Sequence, residues 1–230
     1  TFSPDGQVVY WGGEYSTKTI YTRRLAAGDW TPASIIYFSE DMRSYRDPFI
    51  SPDGERLYFI SDDALPGESS SGKENIWMME KEGEGWGTPQ PLPDLINAYR
   101  LHWTISVAAN YNLYFSANEA DIYISRYLDG NYTEPVLLDP PVNTDELEIT
   151  PNIAPDESYL LFTRVATKSD PPYLFISYAI GSGWSEPQRI ENIDYCISPI
   201  VTPDRQYVIY MSSPYSLAWR DTTFINELWP

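Results

Sequence analysis

Ser3-Pro4-Asp5-Gly6 recurs unchanged as Ser51-Pro52-Asp53-Gly54, and this four-residue turn decides the fold. Altered copies follow at Ala154-Pro155-Asp156-Glu157 and Thr202-Pro203-Asp204-Arg205, while Ala108-Ala109-Asn110-Tyr111 stands in the same place in the third unit. The third residues of successive copies are 48, 57, 46 and 48 positions apart. Self-similarity at such a period indicates a repeat architecture, so five structural units are expected.

Each turn lies between two short apolar segments. The segment after the turn is rich in β-branched and aromatic residues, as in Leu57-Tyr58-Phe59-Ile60 and Tyr159-Leu160-Leu161-Phe162. Such runs, bounded by turn formers, predict strands. A second apolar segment, for example Pro48-Phe49-Ile50, precedes the turn. The turn is therefore expected to close a hairpin, with its Asp accepting a backbone N–H and its Gly supplying a positive φ.

A second set of matches predicts the rest of each unit. Aliphatic–aromatic pairs such as Ile20-Tyr21 and Ile76-Trp77 mark a third strand, and each is followed by a glycine turn, an aromatic residue and a proline. Proline cannot donate to a ladder hydrogen bond, which places a fourth, outermost strand after it. Four antiparallel strands make the blade of a β-propeller. The predicted blades are approximately residues 1–43, 44–97, 98–145, 146–193 and 194–230.

The motifs resemble a known family. The Ser-Pro-Asp-Gly turn followed by a Leu-Tyr-Phe type strand is similar to the TolB-type propeller repeat, a relative of the WD-repeat propellers. The Gly-x-Trp-x-x-Pro element, as in Gly183-Trp184, resembles a subgroup of bacterial secreted or envelope proteins. The segment from Leu217 to Leu228 also resembles the closing strand and short helical tail of that subgroup. The resemblance implies an all-β propeller that docks other molecules in or outside the cell envelope.

The beginning of the chain falls inside an expected element. Thr1 and Phe2 stand where the middle of the first strand of blade one should be. We therefore expect a single propeller domain that is truncated at its N-terminus. Five blades are favoured, and a sixth is possible if an upstream segment supplies it.

Composition narrows the class of partner. The chain has 33 acidic and 15 basic residues and a net charge of -18, a field that repels nucleic acid and anionic lipid surfaces. Nucleic-acid binding is therefore not expected, and no apolar run is long enough for a membrane span. The chain is 15% aromatic, and most of these residues are expected to pack between blades. We expect an acidic, monomeric protein of the periplasm or exterior.

Metal and cofactor chemistry is not expected. Cys196 is the only cysteine and His102 the only histidine, so neither an internal disulfide nor a transition-metal site can be built from this chain alone. Cys196 precedes a predicted first strand and is expected to be a small buried residue rather than a nucleophile. No acidic run has the spacing of a calcium loop.

Candidate functional residues lie where the chain enters the first strand of each blade. In propellers these segments converge on one end of the central channel, so equivalent positions can reach one ligand. They carry carboxylates, two arginines, the histidine and several aromatic residues. The predicted ligand-binding residues are Tyr45, Arg46, Asp47, Tyr99, Arg100, His102, Trp103, Glu146, Glu148, Asp194 and Tyr195.

Three functions remain open for these residues. The first is a binding module, in which aromatic faces and polar groups hold a glycan or a peptide. The second is a scaffold whose faces or rim dock other proteins. The third is a glycoside hydrolase, because Arg46-Asp47-Pro48 resembles the Arg-Asp-Pro element of five-bladed fructan and sucrose hydrolases, with Glu146 or Glu148 as a nominal acid. No catalytic residue is assigned, and the binding module is the favoured prediction.

Overall fold

The computed structural model describes residues 1–13, 19–36, 44–69, 73–118, 120–167, 169–213 and 216–222, with backbone only at 101–103. The described residues form two compact units, Thr1–Arg100 and Leu101–Pro230. The predicted tail after Thr222 lies outside the described residues.

Unit 1 contains two blades. In the first, Phe2 forms an isolated antiparallel bridge with Val9 at the position of the first strand. The remaining strands of that blade are β1 (Val8–Gly12), β2 (Ile20–Ala26), β3 (Asp29–Trp30) and β4 (Ser34–Ile35). The second blade consists of β5 (Arg46–Ile50), β6 (Arg56–Ser61), β7 (Asn75–Glu82), β8 (Gly85–Trp86) and β9 (Gln90–Pro91), followed by the short helix α1 (Asp94–Asn97).

Unit 2 contains three blades. Blade 3 is built from β10 (Leu101–Val107), β11 (Leu113–Ala117), β12 (Asp121–Ser125), β13 (Tyr127–Leu128), β14 (Asn131–Tyr132) and β15 (Val136–Leu137). Blade 4 is built from β16 (Leu147–Ile153), β17 (Tyr159–Val165), β18 (Tyr173–Ile180), β19 (Gly183–Trp184) and β20 (Gln188–Arg189). Blade 5 has β21 (Ile197–Val201), β22 (Tyr207–Ser213) and β23 (Ser216–Asp221) within the described residues.

The strand order confirms antiparallel blades. The first three long strands of blades 2, 3 and 4 pair in chain order, and β9, β15 and β20 add to the outer edge of the third strand. In blades 1, 2 and 4 that edge also carries a second two-residue strand before the proline, namely β3, β8 and β19. The outermost strand is therefore split in two at the proline, because Pro32, Pro89 and Pro187 each remove one ladder donor.

The Ser-Pro-Asp-Gly turn closes the predicted hairpin. Ser51 donates from Oγ to Asp53 Oδ1 at 2.5 Å and accepts the backbone N–H of Arg56 at 2.9 Å. Asp53 Oδ1 also accepts the N–H of Glu55 at 3.1 Å, and Gly54 has a φ of 77°. The same bonds recur at Ser3 and Asp5, where the hydroxyl of Ser3 holds the pKa of Asp5 below its ordinary value. The turn is thus an internally bonded unit.

The third turn keeps this geometry although its sequence does not match. Asn110 Oδ1 accepts the N–H of Asn112 at 3.0 Å, and Tyr111 has the positive φ of 65° that glycine supplies elsewhere. In sequence only a degenerate copy of the motif stands at this point. An amide oxygen replaces the carboxylate oxygen, so the turn survives.

Adjacent blades pack through apolar faces within each unit. In unit 1, Val8 and Tyr10 of blade 1 share a buried cluster with Leu57, Phe59 and Trp77 of blade 2. Trp77 lies in β7, the predicted third strand of blade 2. In unit 2, a second cluster joins blade 3 to blade 4, and a third joins blade 4 to blade 5. These clusters confirm that repeat-position aromatic residues pack between blades.

Hydrogen bonds also cross between first strands. The backbone N–H of Ile153 donates to Ser106 Oγ at 3.0 Å, and that of Ile50 donates to Thr1 Oγ1 at 3.4 Å. Thr1 and Ser106 stand two residues before the first residue of their turns, so the two bonds are equivalent. Among the described residues, no helix is long and apolar enough to cross a membrane.

Candidate functional site

The first strands share a bulge where the candidate residues lie. Asp47, Thr150 and Ser198 have φ values of 48°, 50° and 53°, and each directly precedes a proline. The strand register shifts at the same place in β5, β16 and β21. Non-glycine residues rarely adopt this conformation, and it is further restricted before proline. Recurrence in three blades shows that the bulge belongs to the scaffold, where it redirects the preceding side chains.

In unit 1 the bulge places Arg46 among carboxylates. Its Nη2 lies 2.7 Å from Glu74 Oε1 and 3.8 Å from Asp62 Oδ2, and its side chain is largely buried. Asp47 is half-buried beside this group. Burial raises the pKa of Asp47 to about 6, against the opposing effect of the Arg46 charge. Asp47 is therefore a carboxyl group that titrates near neutral pH.

The other unit 1 candidates have different settings. Tyr45 is buried in the apolar cluster between blades 1 and 2, and its ring makes an edge contact with Phe59 at 5.6 Å between centroids. It packs as a core residue. Tyr99 is half-buried after α1, and Arg100 is exposed at the end of the unit.

In unit 2 Glu148 is fully buried and its oxygens have internal partners. Arg164 Nε lies 2.7 Å from Oε1, Thr144 Oγ1 donates to the same oxygen at 2.7 Å, and the Thr144 N–H donates to Oε2 at 3.1 Å. Arg164 also donates from Nη2 to the carbonyl oxygens of Pro141 and Val142. Glu148 is therefore a structural anchor for the segment that leads into β16.

Three remaining candidates of unit 2 are at least partly exposed. Asp194 is exposed, Glu146 and Tyr195 are half-buried, and Glu146 Oε2 lies 3.7 Å from Arg164 Nε. Near the start of β18, the guanidinium carbon of Arg189 stands 3.5 Å from the centroid of the Tyr173 ring. This stacked pair adds a planar, cationic surface that sequence reasoning missed. His102 and Trp103 lie in β10, and their side chains are outside the described part of the structure.

Cys196 is inaccessible. It is completely buried in the cluster between blades 4 and 5, and burial raises the pKa of its thiol well above the usual range. Its carbonyl oxygen accepts a hydrogen bond from Thr163 Oγ1 at 3.0 Å, and that hydroxyl shares a 2.8 Å bond with Thr150. A thiol in this setting lacks the thiolate character that a nucleophile needs.

Two buried asparagines were not identified from the sequence. Asn97 Oδ1 accepts the N–H of Ile76 at 2.8 Å, and its Nδ2 donates to the carbonyls of Ile76 and Leu92. Asn143 makes the same three bonds in blade 3, to Ile122 and Leu138. Each lies five residues after a leucine of the outer strand segment, a spacing that could have revealed them. They tie the connection between blades to the third strand.

Metal binding finds no support at these positions. Across the described ranges, no group of three or more Asp, Glu, His or Cys side chains is arranged to hold a metal ion. The carboxylates around Arg46 are instead neutralised by its guanidinium.

The blade architecture defines an all-β, five-bladed β-propeller, and comparison with solved structures gives its type. The chain is similar to a putative TolB from Agrobacterium tumefaciens, with a TM-score of 0.61, 17% identity and coverage of 96% of this chain and 76% of that one. It is also similar to TolB from Acinetobacter baumannii, with a TM-score of 0.62, 16% identity and coverage of 96% of this chain and 50% of that one. The fold is thus that of TolB-like propellers.

A third neighbour is less similar. A functionally unknown protein from Desulfotomaculum acetoxidans matches with a TM-score of 0.51 and 12% identity, over 92% of this chain and 61% of that one. No protein-family model matches the chain. No curated protein matches it by sequence. The predicted fold class is confirmed, while the comparisons support the repeat family only at the level of the fold.

Proposed function

We propose that this propeller is a non-catalytic binding protein of the bacterial envelope or exterior that holds a glycan or a peptide where the chain enters its first strands. The observation that carries the proposal is the difference in burial among the candidate residues of unit 2. Glu148 is buried and paired with Arg164, and the half-buried Glu146 reaches the same guanidinium, while Asp194 is exposed and Tyr195 is half-buried. An exposed carboxylate and an accessible aromatic face suit reversible recognition of a polar ligand.

The stacked pair of Arg189 and Tyr173 strengthens this proposal. The guanidinium carbon lies 3.5 Å from the ring centroid, and a guanidinium over an aromatic ring presents hydrogen-bond donors at its edge. Tyr173 is the first residue of β18, Tyr195 lies two residues before β21, and Cys196 N donates to Pro172 O at 2.8 Å. The two tyrosines therefore lie at the same end of blades 4 and 5.

A glycoside hydrolase is less well supported. Such enzymes need one carboxyl group that is protonated as the acid and a second that acts as nucleophile or base. Glu148 is fully buried and occupied by its ion pair with Arg164, so burial closes that group to substrate. Similarity to TolB proteins supports a binding role and an envelope location, and both remain part of the proposal.

The test is a glycan array combined with affinity capture of peptides, using the wild-type protein and Tyr195→Ala. We expect a ligand that binds the wild type and loses at least tenfold in affinity with Tyr195→Ala, because a half-buried ring can be removed without opening the core. Tyr21→Ala in blade 1 is the control, since Tyr21 is also half-buried but lies outside unit 2.

Three results would decide against the proposal. A ligand that binds Tyr195→Ala with unchanged affinity would place the site elsewhere. Release of free sugar from a polysaccharide panel would support the hydrolase instead. Capture of a folded envelope protein, with no glycan or peptide bound, would indicate a scaffold.

A further inference from the structure

A cleft of about 470 Å³ opens between the outer parts of blades 3 and 4. It lies entirely within unit 2. One wall carries Tyr114, Arg126 and the short strand β15, and the other carries Glu157 and Trp184. Glu157 belongs to the turn after β16, whereas Glu148 lies near the start of that strand. The cleft is therefore at the opposite end of blade 4 from the proposed ligand site.

A carboxylate is fixed in this cleft by neutral donors. Glu157 Oε1 accepts from the Tyr114 hydroxyl at 2.7 Å and from Asn112 Nδ2 at 2.9 Å, and Oε2 accepts from Asn110 Nδ2 at 2.7 Å. No ion pair joins Glu157 to a cation of the described residues. Burial and the bond to Glu157 both raise the pKa of Tyr114, so the phenol stays protonated as a donor. Neutral donors of blade 3 therefore orient the carboxylate.

This glutamate replaces the glycine of the turn motif. Gly54 occupies the same place in blade 2, where an added Cβ would lie 3.2 Å from the Pro4 side chain. Glu157 instead adopts a φ of 58°, a strained conformation for a glutamate. The matching cleft between blades 1 and 2 is smaller, about 310 Å³, and there the ring of Tyr10 contacts Trp86 at 6.2 Å between centroids. The cleft between blades 3 and 4 is thus the larger of the two and holds a glutamate where the other has a glycine.

The rim of the cleft is an apolar sheet edge. The strand β15 pairs only with β12, and its Val136 and Leu137 side chains are 61% and 44% exposed. An edge strand with exposed apolar side chains can accept a further extended segment. Arg126 and Asp139 also line the cleft with opposite charges, so Glu157 determines its net sign.

We propose that this cleft docks an extended segment of a partner protein, with a lysine or arginine side chain of that segment placed against the Glu157 carboxylate. The segment lies along β15, and the aliphatic stem of its basic side chain packs on Trp184 and Val136. A basic segment also complements a chain of net charge -18. The volume of the cleft is sufficient for one long side chain and its flanking backbone.

The experiment selects random seven-residue peptides on the immobilised full chain by phage display and measures the synthesised peptides by fluorescence anisotropy. We expect enriched peptides to contain lysine or arginine. Replacing that residue by norleucine, or changing Glu157→Gln in the protein, should each weaken binding at least tenfold. Val136→Lys should do the same by placing a positive charge on the exposed edge, where it cannot disturb the core.

Glu84→Gln is the matched control, because Glu84 is an exposed carboxylate of the equivalent cleft between blades 1 and 2. It should leave binding unchanged. The proposal is overturned if no peptide is enriched, if basic residues are not enriched, or if the selected peptides bind Glu157→Gln and Val136→Lys as well as they bind the wild type. Tyr195→Ala should not affect these peptides, which separates this cleft from the proposed ligand site.

Discussion

Arg164 Nε donates a hydrogen bond of 2.7 Å to Glu148 Oε1, and the two residues face each other across β16 and β17. The guanidinium carbon also lies 4.9 Å from the centroid of the Phe175 ring and 5.4 Å from that of Phe162. The ion pair is therefore enclosed by aromatic side chains from the same blade. It fixes the segment before the first strand of blade 4, and its removal is the most direct test of that role.

Arg164→Met should destabilise the protein by about 3–5 kcal/mol, because it leaves the buried carboxylate of Glu148 without its cation. Urea denaturation at neutral pH measures the change in the free energy of unfolding. Arg189→Met removes an exposed arginine that is stacked on Tyr173 and should cost less than about 1 kcal/mol. Equal losses for the two variants would show that Glu148 does not depend on Arg164.

Ser51→Ala should lower the free energy of unfolding by about 1–3 kcal/mol, because the buried N–H of Arg56 loses its acceptor. The Ser51 hydroxyl also donates to Asp53, so this one substitution removes both hydrogen bonds of the Ser51 side chain. Ser182→Ala, at an exposed serine of a glycine turn, should change stability by no more than about 0.5 kcal/mol. A small loss at Ser51 would mean that the glycine alone maintains the turn.

Asp47 should make stability fall as pH rises from about 4 to about 6. Its folded-state pKa, about 6, is above the ordinary value of 3.8, so the native state binds more protons in this window and the penalty is complete above it. Asp47→Asn removes the charge and tolerates the positive φ. Relative to wild type, the variant should gain up to about 3 kcal/mol at pH 7.5, at about 1.4 kcal/mol per pKa unit, and gain little at pH 3.5.

The same titration with Asp29→Asn, at an exposed aspartate of blade 1, serves as the comparison and should not show this pH-dependent gain. If Asp47→Asn tracks the wild type at every pH, the carboxyl group of Asp47 is solvated in solution and its burial has no energetic effect.

Asp5 should have the opposite pH dependence. Its pKa is lowered by the hydroxyl of Ser3 and the N–H of Gln7, so its contribution to stability is present above pH 3.8 and is lost as pH falls through the folded-state pKa. Asp5→Asn should therefore flatten the acid side of the stability curve. Acid titration of the unfolding free energy measures this slope, and a slope that matches the wild type would contradict the assignment.

Cys196 should not react with a thiol reagent such as dithionitrobenzoate while the protein is folded, because the thiol is buried and its pKa is raised. In 6 M guanidinium, a denaturing concentration, we expect one thiol per chain to react within about minutes. Reaction at the same rate without denaturant would show that the interface between blades 4 and 5 opens readily.

The hairpins and blades could be predicted because their determinants are local. Positive φ at Gly54, side-chain bonds at Asp53 and the missing donor of each outer-strand proline all act within a few residues of themselves. Such signals survive in sequence even when neighbouring residues change. The third turn was recognisable mainly by its spacing, because Asn110 and Tyr111 provide an equivalent oxygen and a positive φ with different residue types.

The candidate site could be predicted only in part, because burial and partner choice depend on distant residues. Tyr45 and Glu148 looked like surface groups, yet the first packs on Phe59 and the second pairs with Arg164. Asn97 and Asn143 were both missed, because an asparagine after an outer strand shows its backbone partners on the third strand only once the chain is folded. The sequence could indicate which residues lie near the first strands, but it could not indicate which of their side chains are exposed.

The three donors around Glu157 belong to blade 3, while Glu157 itself belongs to blade 4. The turns after β10 and β16 each depart from the Ser-Pro-Asp-Gly motif, but together they supply the donors and the acceptor of one contact between blades. Blades 3 and 4 therefore depend on each other. Duplicating, deleting or transplanting one repeat without the other would separate the carboxylate from its donors. A repeat protein of this kind can exchange its other blades more freely than these two.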